Sequence, residues 1–456
     1  MIQLLRTVAV LTSLLSPTFA YISPLEPSGN EDYLGDCGNC NLTLYYPSSI
    51  ILQKYSISIP MLRCLTIRGS GIQSAVDGAF DGMPNLSYLN LERNSMTADN
   101  LFSFGNLSSV RKLILSNQNS GRYTKPTVIK SIYPQLRYLD LKNNGISSIQ
   151  NPWNNPLPEL THLDLSGNKI GDFSVMRSWA ATLTHLNLND NGISQFSLQG
   201  YSNLTSLVLD NNKIKTIGDN GLDVVGATNL KNLSLVNNQI GSIRPGAFRN
   251  TAGLRYLNMS MNLLSIIQTA AFENLYSLQV LVLDQNSFED LSIALPLNLT
   301  VLSANCNRIK YLTVNALYNL HQLKTLSLTG NQIMNDAFQN QKMLEELYLN
   351  NNKLSHLPNG WYKSMKGLRY LDLSNNEFTL LESVFQSEFP SLQQLYFERN
   401  PIKYINASTF GTFSKYITVY LDTQSNRTTV KCQPSPSYQT TTATRSFERT
   451  TRNYWG

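Results

Sequence analysis

Leu136-Arg-Tyr-Leu139-Asp-Leu141-Lys-Asn-Asn144-Gly-Ile146 is followed by Leu160-Thr-His-Leu163-Asp-Leu165-Ser-Gly-Asn168-Lys-Ile170, the same frame of apolar residues and asparagine moved on by 24 positions. The frame returns at 204–214, 323–333, 344–354 and 368–378. With weaker copies included there are 16 units, from Leu62 to a degenerate last copy at Val419 to Gln424. The asparagine falls at 94, 144, 168, 191, 212, 238, 262, 286, 307, 331, 352, 376 and 400; Ser70, Gln118 and Gln424 replace it in the other three units.

The spacing LxxLxLxxNxL has a direct physical reading. Side chains alternate along a strand, so both residues of LxL face one side. The flanking Leu and Ile close the same core from the turns. A single unit cannot bury that face, but stacked units make one continuous apolar column. The asparagine sits where the chain leaves the strand, and its amide is suited to satisfy backbone groups of its own turn and of the next.

This pattern resembles the leucine-rich-repeat family over residues 62–424. Phe80, Phe248, Phe272, Phe385 and Phe410 stand in the return segments, often within Gly-Ala-Phe or Ala-Ala-Phe. They make the units similar to the 24-residue typical subclass of extracellular receptors and matrix proteins. The Leu-x-Gly-x-Ile-Pro signature of plant receptor repeats is absent. The resemblance implies an α/β solenoid: a right-handed horseshoe with a parallel β-sheet on its concave face and irregular or short helical return segments.

Composition and flanks agree with a folded, exported array. Of the 456 residues 42% are hydrophobic and 14% charged, which suits a packed protein rather than a disordered one. The net charge of +6 is spread thinly, with no Lys/Arg run dense enough for nucleic acid. A mild positive balance favours acidic glycans or anionic cell surfaces instead. Arg6, the apolar stretch from Val8 to Leu15 and Thr18-Phe19-Ala20 read as a signal peptide over residues 1–20. No later stretch supplies about 20 uninterrupted apolar residues for a membrane span. Nine Asn-x-Ser/Thr sequons, at Asn41, Asn85, Asn106, Asn203, Asn232, Asn258, Asn298, Asn406 and Asn426, support a secreted, extracellular protein.

Residues 21–61 form the expected N-terminal cap, in which Cys37, Cys40 and Cys64 resemble a reduced cysteine cap. Cys37 and Cys40 also have redox CxxC spacing, but the surrounding βαβ pattern is missing. Cys306 reads as a partly buried free thiol, and Cys432 as part of a minimal C-terminal cap. Residues 425–456 combine that cap remnant with a Ser/Thr-rich tail whose composition cannot build a core.

Residues one and three places before the second leucine of LxL project from the concave face and stack into columns from unit to unit. Near the C-terminal end these columns hold Tyr348, Tyr370, Tyr396 and Tyr420 with Glu346 and Asp372, and Gln394 and Glu398 beside them. Exposed tyrosines offer large contact area at low entropy cost, so these residues are the expected ligand-binding patch. Val280, Val282 and Val301 make a central apolar patch beside Asn258, where a glycan would obstruct the face. His162 and His185 share a column near Asp140 and Asp164. They are a weak candidate for a metal or pH-responsive pair, against the plainer reading of two exposed polar residues. His321 and His356 fall in return segments.

HExxH, GxSxG and GxxxxGK are all absent, and an open concave face lacks the enclosed pocket that tunes acid–base pairs. The expectation is therefore a non-enzymatic module without cofactor that binds an extracellular protein or glycan, as a soluble receptor-like protein or receptor ectodomain. The alternative is a structural matrix or cell-wall repeat protein without a discrete ligand.

Overall fold

The computed structural model describes residues 41–421 and Cys432, apart from 46–48, 70, 119–124, 152–154, 172–177, 219–221, 225, 269, 292, 313–316, 335–341, 358–360, 385–388 and 405–416. Each LxL lies on a short strand, and 17 such strands pair in chain order into one parallel sheet. Register is kept from unit to unit: Leu139 stands opposite Leu163, and Leu163 opposite Leu186. These leucines are buried, and together they line one unbroken core running the length of the solenoid.

The recurring asparagine does the work its position demands. Asn168 Nδ2 donates to the carbonyls of Leu141 (3.0 Å) and Leu165 (2.8 Å), while its Oδ1 accepts from the backbone N–H of Asn144 (3.1 Å) and Ile146 (3.0 Å). One side chain thus satisfies backbone groups of two coils that water cannot reach. Gln118 makes the same bonds with a longer arm, to Leu91 (2.7 Å) and Leu115 (3.1 Å). The residue before it turns the chain at positive φ, as at Asn143, Asn211, Asn237 and Asn375 and at Gly167 and Gly330. Asn and Gly tolerate that region best.

Return segments are extended or contain single 3-10 turns at Ala98–Asn100, Trp361–Ser364 and Leu381–Ser383; the described residues include no α-helix. Phe80 and Phe104 meet edge to face at 5.7 Å, and Phe248 and Phe272 pack at 6.0 Å, so the aromatic positions fill the outer half of the core.

Two features differ from expectation at the ends. The ladder starts at Asn41–Leu44, paired with Cys64–Ile67, inside the segment assigned to the cap. Cys64 is disulfide-bonded; residues 1–20, Cys37 and Cys40 lie outside the described residues, as do Phe385, Phe410, Asn406, Asn426 and the tail after Cys432. Cys306 is not a free thiol: it is bonded to Cys432, 126 residues later, with Cα atoms 5.2 Å apart. The reason is local. Cys306 occupies the positive-φ turn position and is itself buried, at 9% exposed. The equivalent residue one coil on is Gly330, where an added Cβ would lie 2.4 Å from Cys432 Sγ. A side chain there would exclude the bridge.

Candidate functional site

Alternation places two outward columns on the concave strands, and the two ends of the sheet use them differently. Towards the N-terminus one column carries Tyr88, Lys112, Tyr138, His162 and His185 on consecutive strands. Lys112 is only 4% exposed, and its Nζ lies 4.4 Å from the Tyr138 ring centre and 5.9 Å from that of Tyr88. Sandwiching a cation between two ring faces offsets part of its desolvation. Burial nonetheless pushes the Lys112 ammonium down from its ordinary value, with Asp140 opposing. Tyr138 then stacks on His162 at 6.0 Å, and His162 on His185 at 4.2 Å with rings 7° from parallel.

Each imidazole is held through a threonine hydroxyl. Thr161 Oγ1 lies 3.0 Å from the Arg137 carbonyl and 2.9 Å from His162 Nδ1, and Thr184 Oγ1 lies 3.0 Å from the Thr161 carbonyl and 2.9 Å from His185 Nδ1. Whether Nε2 donates or accepts follows from which of the two partners the hydroxyl proton serves. Burial, then His185 and Lys112, pushes His162 down to about 4, so the ring is neutral at neutral pH. Burial lowers His185 as well. Stacked parallel rings do not converge their nitrogens on one ion. Among the described residues no group of three or more His, Cys, Asp or Glu is placed to hold a metal.

The neighbouring column holds Asp140, Asp164 and Asn187. Asp164 accepts from Ser166 N–H (2.8 Å) and from Asn187 Nδ2 (3.1 Å). Asp140 is pushed up to about 6, chiefly by burial and next by the Asp164 carboxylate. Rings and acids alike are half-buried. Lys112, Tyr88 and Tyr138 were missed in the sequence, although they lie in the column that the histidines mark.

The C-terminal patch needs correction. Tyr348, Tyr370 and Tyr396 are 6%, 8% and 9% exposed, not open to solvent. They alternate between the two columns, so their rings meet on the diagonal: Tyr348 to Tyr370 at 4.7 Å and Tyr370 to Tyr396 at 5.1 Å. Tyr420 closes the row on Tyr396 at 4.4 Å and remains half-buried. Asp372 is buried and accepts from Ser374 N–H (3.0 Å) and Oγ (2.7 Å); Glu346 accepts from the Tyr348 hydroxyl (3.3 Å). Gln394 is exposed, whereas Glu398 is buried.

The sequons separate in the same way. Asn85, Asn106, Asn203 and Asn298 are exposed and Asn232 is half-buried. Asn258 is 8% exposed, and its side chain donates to the Tyr256 hydroxyl and accepts from Ser260. Val280, Val282 and Val301 stand half-buried beside it.

Family models for leucine-rich repeats match residues 60–120, 134–178, 180–195, 228–288 and 342–402. The chain is a leucine-rich-repeat protein. Mouse podocan is 27% identical over 412 residues, covering 84% of this chain and 62% of podocan. Bovine fibromodulin is 26% identical over 340 residues, covering 70% of this chain and 80% of fibromodulin. Lumican of Coturnix japonica is 29% identical over 204 residues, covering 43% and 57%. The chain spans 62% of podocan and 53% of mouse podocan-like protein 1, the latter at 27% identity. A solved leucine-rich-repeat protein of Leptospira interrogans shares the fold, with TM-score 0.60 and 22% identity over 77% of this chain and 93% of that one. The matrix relatives are secreted, and this leucine-rich-repeat chain is extracellular. No helix among the described residues is long and apolar enough to cross a membrane.

Proposed function

We propose that this leucine-rich-repeat chain is an extracellular recognition module that takes a ligand across the N-terminal third of its concave face. The observation that carries the reading is the stack of Tyr138, His162 and His185 over Asp140 and Asp164. The rings already pack on one another without a ligand, which limits the ordering entropy to be lost on binding. It offers two carboxyl groups as acceptors beside a column of aromatic and imidazole rings. Such a surface suits a protein ligand that presents lysine or arginine side chains, held by charge-assisted hydrogen bonds and by ring faces. A cationic group on a glycan meets the same requirement. Tyr420 and Glu346, the half-buried members of the C-terminal patch, extend the contact surface at the far end.

The test is capture of partners from an extracellular-matrix extract on the immobilised full chain. A variant carrying His162→Ala, His185→Ala and Asp164→Asn is run beside it. The reading expects a defined partner on the native chain and at least about a tenfold loss on the variant, the size of a central interface cluster. Equal capture by both would overturn it.

A further inference from the structure

A second surface lies along one edge of the sheet. The residue that follows the first leucine of each unit, one place before the outward concave position, is in register from coil to coil. The N–H of Ser87 donates to the Arg63 carbonyl, Arg111 to Ser87 and Arg137 to Arg111. The ladder continues without a break through Thr161, Thr184, Thr205, Lys231, Arg255, Gln279, Thr300, Lys324, Glu345, Arg369 and Gln393. Seven of these 15 positions are Arg or Lys and one is acidic, although the whole chain has only 36 Lys and Arg in 456 residues.

All seven cationic side chains are exposed. Arg137 lies 3.8 Å from Glu159, and Lys324 and Arg369 share Glu345 at 3.4 and 3.7 Å. These are exposed pairs that a stronger anion displaces at little cost. Neighbouring coils are about 4.8 Å apart, so the column is a basic line roughly 60 Å long that follows the sheet. Its densest parts are Arg111–Arg137, with Arg63 one coil beyond Ser87, and Lys231–Arg255. The concave columns beside it are rich in carboxylates, among them Asp140, Asp164, Glu346 and Asp372. Exposed positive charge is thus concentrated along the edge beside a concave face rich in carboxylates, which favours a linear anion there over the concave face.

We propose that this edge binds a linear sulfated glycan chain lying across the coils. A regularly charged, extended polymer can meet successive cations of an evenly spaced column, and an extracellular protein meets such chains. The sequon residues Asn85, Asn203 and Asn298 precede Ser87, Thr205 and Thr300 of the same column by two positions. N-glycans there interrupt the line at uncharged coils, the one at Asn85 between Arg63 and Arg111, and leave Arg111–Arg137 and Lys231–Arg255 as uninterrupted pairs.

The experiment measures binding of heparin to the glycosylated full chain at 0.15 M NaCl. One variant replaces Arg63, Arg111 and Arg137 by Ser, and a second replaces Lys231 and Arg255 by Ser. Controls replace Lys213, Lys215, Arg244 and Arg249 on the return side, or Arg445, Arg449 and Arg452 in the tail, by Ser. The triple edge variant is expected to weaken binding roughly tenfold, as three exposed charge contacts together imply. The double variant loses less, both melt at the native temperature, and the controls retain heparin. Equal losses in the controls, or none in the edge variants, overturn the proposal. Single-stranded DNA or polyglutamate held as tightly as heparin also overturns it, since the edge would then bind any polyanion.

Discussion

The two ends of the concave sheet are built on the same strand and the same spacing, yet they bury their aromatic residues differently. In the N-terminal third all the rings stand in one column, and the other column carries short side chains, Asp140, Asp164 and Asn187. The rings stack face to face along the coils and stay half-buried. In the C-terminal third the tyrosines alternate between columns, so each fills the diagonal gap left by the last. Diagonal neighbours on a sheet remain within reach of aromatic side chains. Equal aromatic content thus yields a half-buried stack at one end and a sealed face at the other.

The largest expected effect separates the ends by covalent support. Ten residues join Leu421 to Cys432, and the Cys306–Cys432 bridge ties the end of the chain back to a coil five strands earlier. Closing a loop of that length limits the unfolded chain, by up to about 5 kcal/mol in the entropic model. Cys432→Ser should therefore lower the melting temperature. Hydrogen exchange should quicken in the coils from Val301 to Tyr420 while those from Tyr88 to His185 keep their protection. Uniform loss along the solenoid would show that its ends are not separately supported.

Next in size is the ring contrast. Tyr370→Ala removes a buried ring from the diagonal row and should cost roughly 2–4 kcal/mol in urea unfolding. His162→Ala removes a half-buried ring and should cost about 1 kcal/mol. A reversed order would contradict the packing described for the two ends.

A smaller effect is carried by pH. Asp140 has a folded value of about 6, above its unfolded value, so its contribution is fully present below the unfolded value and is lost as pH rises through 6. His162 runs the other way: it supports the fold above its unfolded value and loses that support as pH falls through 4. Asp140→Asn should raise the melting temperature at pH 7 and leave it unchanged near pH 4. An increase that persists at pH 4 would mean that ionisation is not its cause.

The smallest expected effect on stability concerns the sequons. Glycopeptide mass spectrometry should find Asn85, Asn203 and Asn298 occupied and Asn258 bare, because the amide of Asn258 is enclosed by Tyr256 and Ser260. Occupancy at Asn258 would block the centre of the concave face and undo the comparison of its ends.

How much of this could be read in the sequence follows from how local each feature is. The strands, their faces and the role of the asparagine follow from a repeat written into neighbouring residues. The burial of Tyr348, Tyr370 and Tyr396 was misread because exposure was judged position by position. It depends on which of two columns the next coil fills. Lys112 was passed over because a lysine reads as solvated until two tyrosines enclose it. The bridge between Cys306 and Cys432 depends on the missing side chain at Gly330, and no spacing rule links residues 126 apart.

The central claim is that the accessible N-terminal third, not the sealed C-terminal third, meets the ligand. Hydroxyl-radical footprinting of the full chain with and without its captured partner tests it most directly. The account predicts protection of Tyr138, His162 and His185, with Tyr348, Tyr370 and Tyr396 reacting slowly and equally in both states. Protection of the three tyrosines, with the histidines unchanged, would contradict it.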